Sequence, residues 1–233
     1  MAREQSGAKV LPFPARARPA PEPGPLGDLR FRKLVGEAAW ARLPEAVRAR
    51  FGHHPGHGTI VYAGEVVECR MSRCGRLLAQ LLRAIGGPLP LSRDTFVPAV
   101  VTVTEDPASG GQFWTRLYGR GRGFPQVIHS SKRFCGPTGL EEYVGRGVGI
   151  ALRVAVEDGA LHFLSDHYFV ALMGVRLRLP RWLSPGALKV SHIDCSHGCF
   201  AFVLALHHPL LGELVRQTAL FHERTPAGAG GLA

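Results

Sequence analysis

Trp114, Arg116 and Tyr118 alternate along Gln112–Tyr118 (QFWTRLY), and the two-residue period of an extended chain sets all three on one face. An arginine between two aromatic rings can grip an anionic group with a bidentate fork while an apolar body lies against the rings. The following stretch, Gln126–Phe134, can face them with His129, Ser131 and Arg133 or, in the opposite phase, with Ser130 and Lys132. Trp114, Arg116, Tyr118, His129 and Ser131 are therefore the candidate ligand-binding residues. The plainer reading of the same face is a solvated sheet surface, but an exposed tryptophan there calls for a reason. If Arg116 is withdrawn from water its charge needs a partner, and Glu141 and Glu142 are the candidates for that salt bridge. As strand neighbours the two glutamates point to opposite faces, which makes them a poor acid/base pair for one substrate.

Other residue types capable of chemistry are less well supported. His192 and Asp194 share a strand face, and Asp166 adjoins His167, so either pair could serve an enzyme, yet neither has a nucleophile elbow or an ordered triad beside it. His192, Cys195, His197 and Cys199 are metal-ligand types at a spacing that suits two strands and a turn better than a zinc site. His53, His54 and His57 cluster in Gly52–Gly58 (GHHPGHG), which holds no carboxylate or thiolate and reads as a solvated loop. Gly119–Gly123 (GRGRG) lacks the strand-to-helix context of a dinucleotide fingerprint and reads as a turn. No metal and no cofactor is expected.

The elements that must position these residues are mostly strands. Phe96–Glu105 (FVPAVVTVTE) is β-branched and alternating, with Val97, Ala99, Val101 and Val103 on one face. Turn formers at Asp106–Gly111 and Gly119–Gly123 fold the next two stretches back as hairpins. Thr59–Met71 reads as a strand, or as a hairpin turned at Ala63–Gly64. Val148–Val156, Leu161–Met173, Val175–Leu179, Leu188–Asp194 and Cys199–Leu206 add strands, with Pro180–Gly186 an irregular corner between them. Residues 210–221 fit either a helix or a strand.

Three helices precede or interrupt the strands. Leu29–Arg42 carries the stripe Phe31, Leu34, Val35, Ala38 and Ala39, with Asp28 as its cap. Pro44–Phe51 is a short second helix. Ser72 caps a third that runs to Ile85, its face made of Leu77, Leu78, Leu81, Leu82 and Ile85, with Arg73, Arg76 and Arg83 elsewhere. That helix can cover one side of the sheet or lie on a membrane. The fold class is α+β and mainly antiparallel β, a curved sheet or half-open barrel of about eight to ten strands with N-terminal helices packed on it.

A chain of 233 residues fits one domain. Residues 1–28 are a Pro/Arg-rich stretch too poor in apolar surface to fold, residues 29–223 form the globular domain, and residues 224–233 are a Gly/Ala tail. The net charge is +10, with most of the excess between residues 29 and 93. Such a patch can contact an anionic membrane peripherally, whereas no nucleic-acid-binding motif accompanies it. Five cysteines without a disulfide framework, and no recognisable signal peptide, lead us to expect a cytoplasmic protein.

The landmarks fall in an order that resembles a bacterial family, the domain-of-unknown-function family numbered 4166. The matching pieces are Phe31–Val47 (FRKLVGEAAWARLPEAV), Trp114-Thr-Arg116, Ser130–Ser131, Leu140–Glu142 with Gly145, Leu179–Pro185 (LPRWLSP), Gly198–Phe202 (GCFAF) and Pro209–Val215 (PLLGELV). They span most of residues 29–221, and Arg216–Ala219 replaces a more aromatic, glycine-containing strand. The resemblance implies a chain that stands alone or follows a saccharopine-dehydrogenase-like domain, so docking on a dehydrogenase-like partner is one expectation. It implies no activity. From the residues themselves, the function favoured is a non-catalytic domain that binds a hydrophobic or lipid-like small molecule with an acidic group. An enzyme with a His/Asp acid/base pair is the alternative.

Overall fold

The computed structural model describes residues 28–53 and 58–222. The tails expected at residues 1–28 and 224–233, and His54 and His57, lie outside these residues, apart from Asp28. Asp28 belongs to the fold: its amide donates to the Gly52 carbonyl at 2.7 Å and its carboxylate accepts from the Arg30 amide and guanidinium.

Three short helices open the chain, α1 (Arg30–Val35), α2 (Glu37–Ala41) and α3 (Glu45–Gly52). The single helix expected over Leu29–Arg42 is broken because Gly36 adopts φ +80°, outside the helical basin. Strand β1 (Thr59–Met71) leads into α4 (Arg73–Leu82), which is capped by Ser72 Oγ accepting from the Gly75 amide and extended by a 3₁₀ turn over Arg83–Ile85. Strands β2 (Val97–Asp106), β3 (Gly111–Tyr118), β4 (Gln126–Arg133), β5 (Glu141–Gly145), β6 (Val148–Glu157) and β7 (Ala160–Leu172) follow as a meander. The rest comprises β8 (Val175–Arg178), a 3₁₀ turn (Arg181–Leu183), β9 (Ala187–Asp194), β10 (Cys199–His208) and β11 (Gly212–His222).

All pairings are antiparallel, and the spatial order is β6-β5-β4-β3-β2-β1-β11-β10-β9-β7. Pairing of β6 with β7 then closes the sheet into a ten-stranded barrel, while β8 stays outside it on Phe169–Leu172 of β7. Closure removes the exposed edges that a half-open sheet would leave. Residues 210–221 supply the strand that makes closure possible: β11 lies between β1 and β10, with Val215, Gln217, Ala219 and Phe221 buried. Ala63–Gly64 is not a turn. Gly64 sits inside the continuous β1, where a Cβ would meet the Leu220 carbonyl oxygen at 1.8 Å, so the missing side chain is what lets β11 approach.

The two ends of the barrel differ. Helices α1–α3 pack on β6 and β9 at one end, and Phe31, Phe51, Phe163 and Phe200 fill it with edge-to-face and stacked contacts 5–6 Å between rings. At the other end α4 lies against β11. Gly75 permits that seat, since a Cβ there would fall 2.0 Å from the Leu214 carbonyl oxygen.

Candidate functional site

Above the aromatic floor the barrel holds a cavity of about 460 Å³, within the roughly 300–1,000 Å³ of small-molecule sites. Trp114, Phe163 and Phe202 line its base, and Ile128, Val144 and Ile150 belong to its wall. The meander explains why so many strands contribute: each sends alternate residues inward, and the inward residues of β2 to β7 are chiefly apolar. Leu78, Leu82 and Ile85 close the top from α4 and its 3₁₀ extension, opposite Trp182 and Leu183 of the corner between β8 and β9.

The wall carries one charged group of residues. Arg116 on β3 donates from Nη2 to Glu142 Oε1 at 3.0 Å and from Nη1 to Ser130 Oγ at 3.2 Å. Lys132 on β4 reaches Glu142 Oε2 at 2.9 Å, and its ammonium lies 4.7 Å from the Trp114 ring centre and 5.4 Å from that of Phe163. The register sets this up, because Lys132 pairs with Gln112 on one side and Glu142 on the other. Burial alone would push the Glu142 carboxyl up, but Lys132 and Arg116 outweigh it and hold it well below the usual carboxylate range. For Lys132, burial pulls the ammonium down and Arg116 adds to that, against the opposing pull of Glu142, so its pKa lies below the ordinary value. Two cations share one carboxylate, and the wall is left with an excess positive charge.

A family model described as "Domain of unknown function (DUF4166)" matches residues 43–221. The chain belongs to this family. No curated protein matches it, and no solved structure does. The matched span starts just before α3 and runs through β11, so it takes in every strand that lines the cavity of this DUF4166 domain and leaves α1 and α2 outside.

Of the residues singled out in the DUF4166 sequence, Trp114, Arg116 and Tyr118 all line the cavity, and Glu142 is the glutamate that meets Arg116. Glu141 points the other way, into the outer layer, where it accepts from Tyr143 Oη at 2.9 Å and Arg176 Nε at 3.1 Å. His129 and Ser131 are on the opposite face from the cavity. His129 is exposed and meets Thr115 Oγ1 at 3.1 Å, and Ser131 is buried beneath the outer layer. The opposite phase, Ser130 and Lys132, is the one that faces inward. Phase depends on the register across the β3–β4 connection, which pairs Tyr118 with Gln126, and a glycine-rich connection of that length leaves the register undetermined in the sequence. Phe163 was not among the residues singled out, whereas Leu78, Leu82 and Ile85, which the sequence set on a helix face able to cover one side of the sheet, line the cavity.

The acid/base candidates do not face the cavity. His167 Nδ1 lies 2.8 Å from Asp166 Oδ2, but at a bulge of β7 on the outside, where Arg153 also binds the carboxylate. His192 is buried in the floor between Phe51, Phe200 and Phe202, and the Arg50 guanidinium bridges it to Asp194, 3.0 Å from each. A guanidinium can only donate, so His192 Nε2 accepts and the ring is neutral. Burial, then Arg50, drives its pKa well below 6.5. Among the described residues, no three His, Cys, Asp or Glu side chains come together as metal ligands, and no helix is long and apolar enough to cross a membrane.

Proposed function

We propose that this domain binds an apolar small molecule carrying an acidic group, with the apolar body in the barrel and the acid on Arg116 and Lys132, and that it does so without catalysis. The observation that carries the reading is the excess cation on an otherwise apolar wall. A buried charge without a partner costs several kcal/mol, and a ligand carboxylate or phosphate would supply the missing anion. Trp114 and Phe163 would flank the head group, and Leu78, Leu82 and Ile85 would cover the tail. A binding role rather than a reaction fits the placement of Asp166–His167 and His192–Asp194 away from the cavity wall.

Native mass spectrometry of the purified protein tests this. The expected spectrum shows a mass adduct that organic extraction removes and that is identified as an apolar acid. The variant Arg116→Met/Lys132→Met/Glu142→Met, which keeps the wall apolar and uncharged, should purify without it. A protein that carries no adduct and takes up no apolar acid offered to it overturns the reading.

A further inference from the structure

The open end of the barrel presents apolar side chains to water from four separate segments. Leu77 and Leu81 on α4 are 63% and 64% exposed, Phe124 in the β3–β4 connection 90%, Trp182 in the corner after β8 82%, and Leu210 in the β10–β11 turn 89%. These segments lie at the same end, because β3 and β10 finish there and β4, β9 and β11 begin there. Monomeric proteins seldom leave so many large apolar groups together in water. Helix α4 shows the division within one element: Gly75 and Ala79 seat it on β11, Leu78 and Leu82 face the cavity, and Leu77 and Leu81 face nothing.

Three of these segments are basic, while the β10–β11 turn carries no Lys or Arg and leads into Glu213. Arg73 and Arg76 flank the exposed leucines of α4, Arg120 and Arg122 precede Phe124, and Arg181 precedes Trp182. All five are exposed, and none of them forms an ion pair among the described residues. Residues 72–87, 119–125 and 172–187 contain no Asp or Glu. Apolar side chains ringed by unpaired arginines complement one kind of surface, with an anionic plane above and hydrocarbon beneath it.

We propose that this end docks on the surface of an anionic phospholipid bilayer, with Leu77, Leu81, Phe124, Trp182 and Leu210 entering the interface and the arginines meeting the phosphates. Leu78 and Leu82 of α4 and Trp182 and Leu183 of the corner line the cavity at this end, so docking would set that end against the lipid from which an apolar acid partitions. This rests on the proposed ligand class for its purpose but not for its test, because vesicle binding is read without a ligand.

Vesicles of phosphatidylcholine with 30% phosphatidylglycerol (about 30 mol%, enough to give a surface potential of the kind that attracts basic segments) are titrated against the full chain and compared with phosphatidylcholine alone. Binding is expected only to the anionic vesicles and should weaken as salt is raised. Trp182 fluorescence should shift to the blue and be quenched by brominated lipid, whereas Trp40 and Trp114 are buried. Arg73→Gln/Arg76→Gln should weaken binding roughly thirtyfold, at about one kcal/mol per basic residue. Leu77→Ser/Leu81→Ser/Leu210→Ser should weaken it at least tenfold while leaving retention of an apolar acid unchanged. No binding to anionic vesicles, binding that ignores both variants, or a soluble dimer that the leucine variant dissociates would each overturn the proposal. Loss of ligand retention in a protein that still binds vesicles would instead count against the cavity reading.

Discussion

At the closed end of the barrel, Phe31, Phe51, Phe163 and Phe200 are at most 4% exposed, and Arg50 is matched by Asp194 and His192. At the open end, Leu77, Leu81, Trp182 and Leu210 stand in water and their neighbouring arginines have no partner among the described residues. The first end pairs its buried charge, leaves His192 Nδ1 without a hydrogen-bond partner, and gains the stability of a packed core. The second leaves apolar and charged groups uncompensated, an arrangement that adds no stability and that the proposed bilayer contact would account for. Between them, the wall around Glu142 combines both characters, being buried like the floor and uncompensated like the rim.

The comparison is broken most forcefully at the floor. Phe200 is fully buried, stacks 4.7 Å from His192 and lies beneath the Arg50 guanidinium. Phe200→Ala should cost about 3–5 kcal/mol in urea unfolding. Next comes the wall, where Glu142→Gln leaves Arg116 and Lys132 without their counter-ion. The cost should be about 3 kcal/mol, the lower part of the range for a broken buried pair, because the Arg116 side chain keeps 22% of its surface in water. Replacing all three charged residues by Met should return stability close to that of the parent, since apolar groups of similar volume substitute well for a buried ion cluster.

Acid should act on the floor before it acts on the wall. His192 in the floor is held well below its ordinary 6.5, and His162, against Ser191 on the outer face of β7, is also lowered, in each case first by burial. Below pH 6.5 the unfolded chain therefore binds protons that the native protein refuses, and stability falls as pH falls, by up to about 1.4 kcal/mol per unit for each such group. Glu142 is depressed from 4.5, so its contribution is present above that pH and is lost only as pH drops below it. Thermal melts between pH 7 and 5 should show the first loss, and His192→Gln should flatten its share of the slope. The smallest effect belongs to the rim: Leu77→Ser/Leu81→Ser should unfold within about 0.5 kcal/mol of the parent in urea, as exposed sites do.

Much of this contrast was legible in the residues. Alternation over Val97–Asp106 and Gly111–Tyr118 put Val101 with Val103 and Trp114 with Arg116 on shared strand faces, because period two follows from backbone geometry alone, but whether the Trp114 and Arg116 face turned inward or to solvent was left open. The pairing of Arg116 with a glutamate at 141 or 142 was also foreseeable, and the opposite orientation of those neighbours left one of them for the cavity. Register was not legible. His129 and Ser131 were set on the wrong side of β4 relative to the cavity because a one-residue phase choice across Gly119–Pro125 inverts every side chain. Nor could composition reveal that β11 completes the barrel, since Arg216–Gln217–Thr218–Ala219 alternates weakly and becomes a strand through its two neighbours, β1 and β10.

The excess positive charge on the cavity wall is tested most directly by isothermal titration of the delipidated protein with dodecanoic acid and with its methyl ester. The two ligands share a chain and differ in the anion, so the comparison isolates the contribution of Arg116 and Lys132. A charge-assisted contact of about 1.5–3 kcal/mol predicts that the acid binds at least tenfold more tightly. Equal affinity for acid and ester, or no uptake of either, would contradict the account.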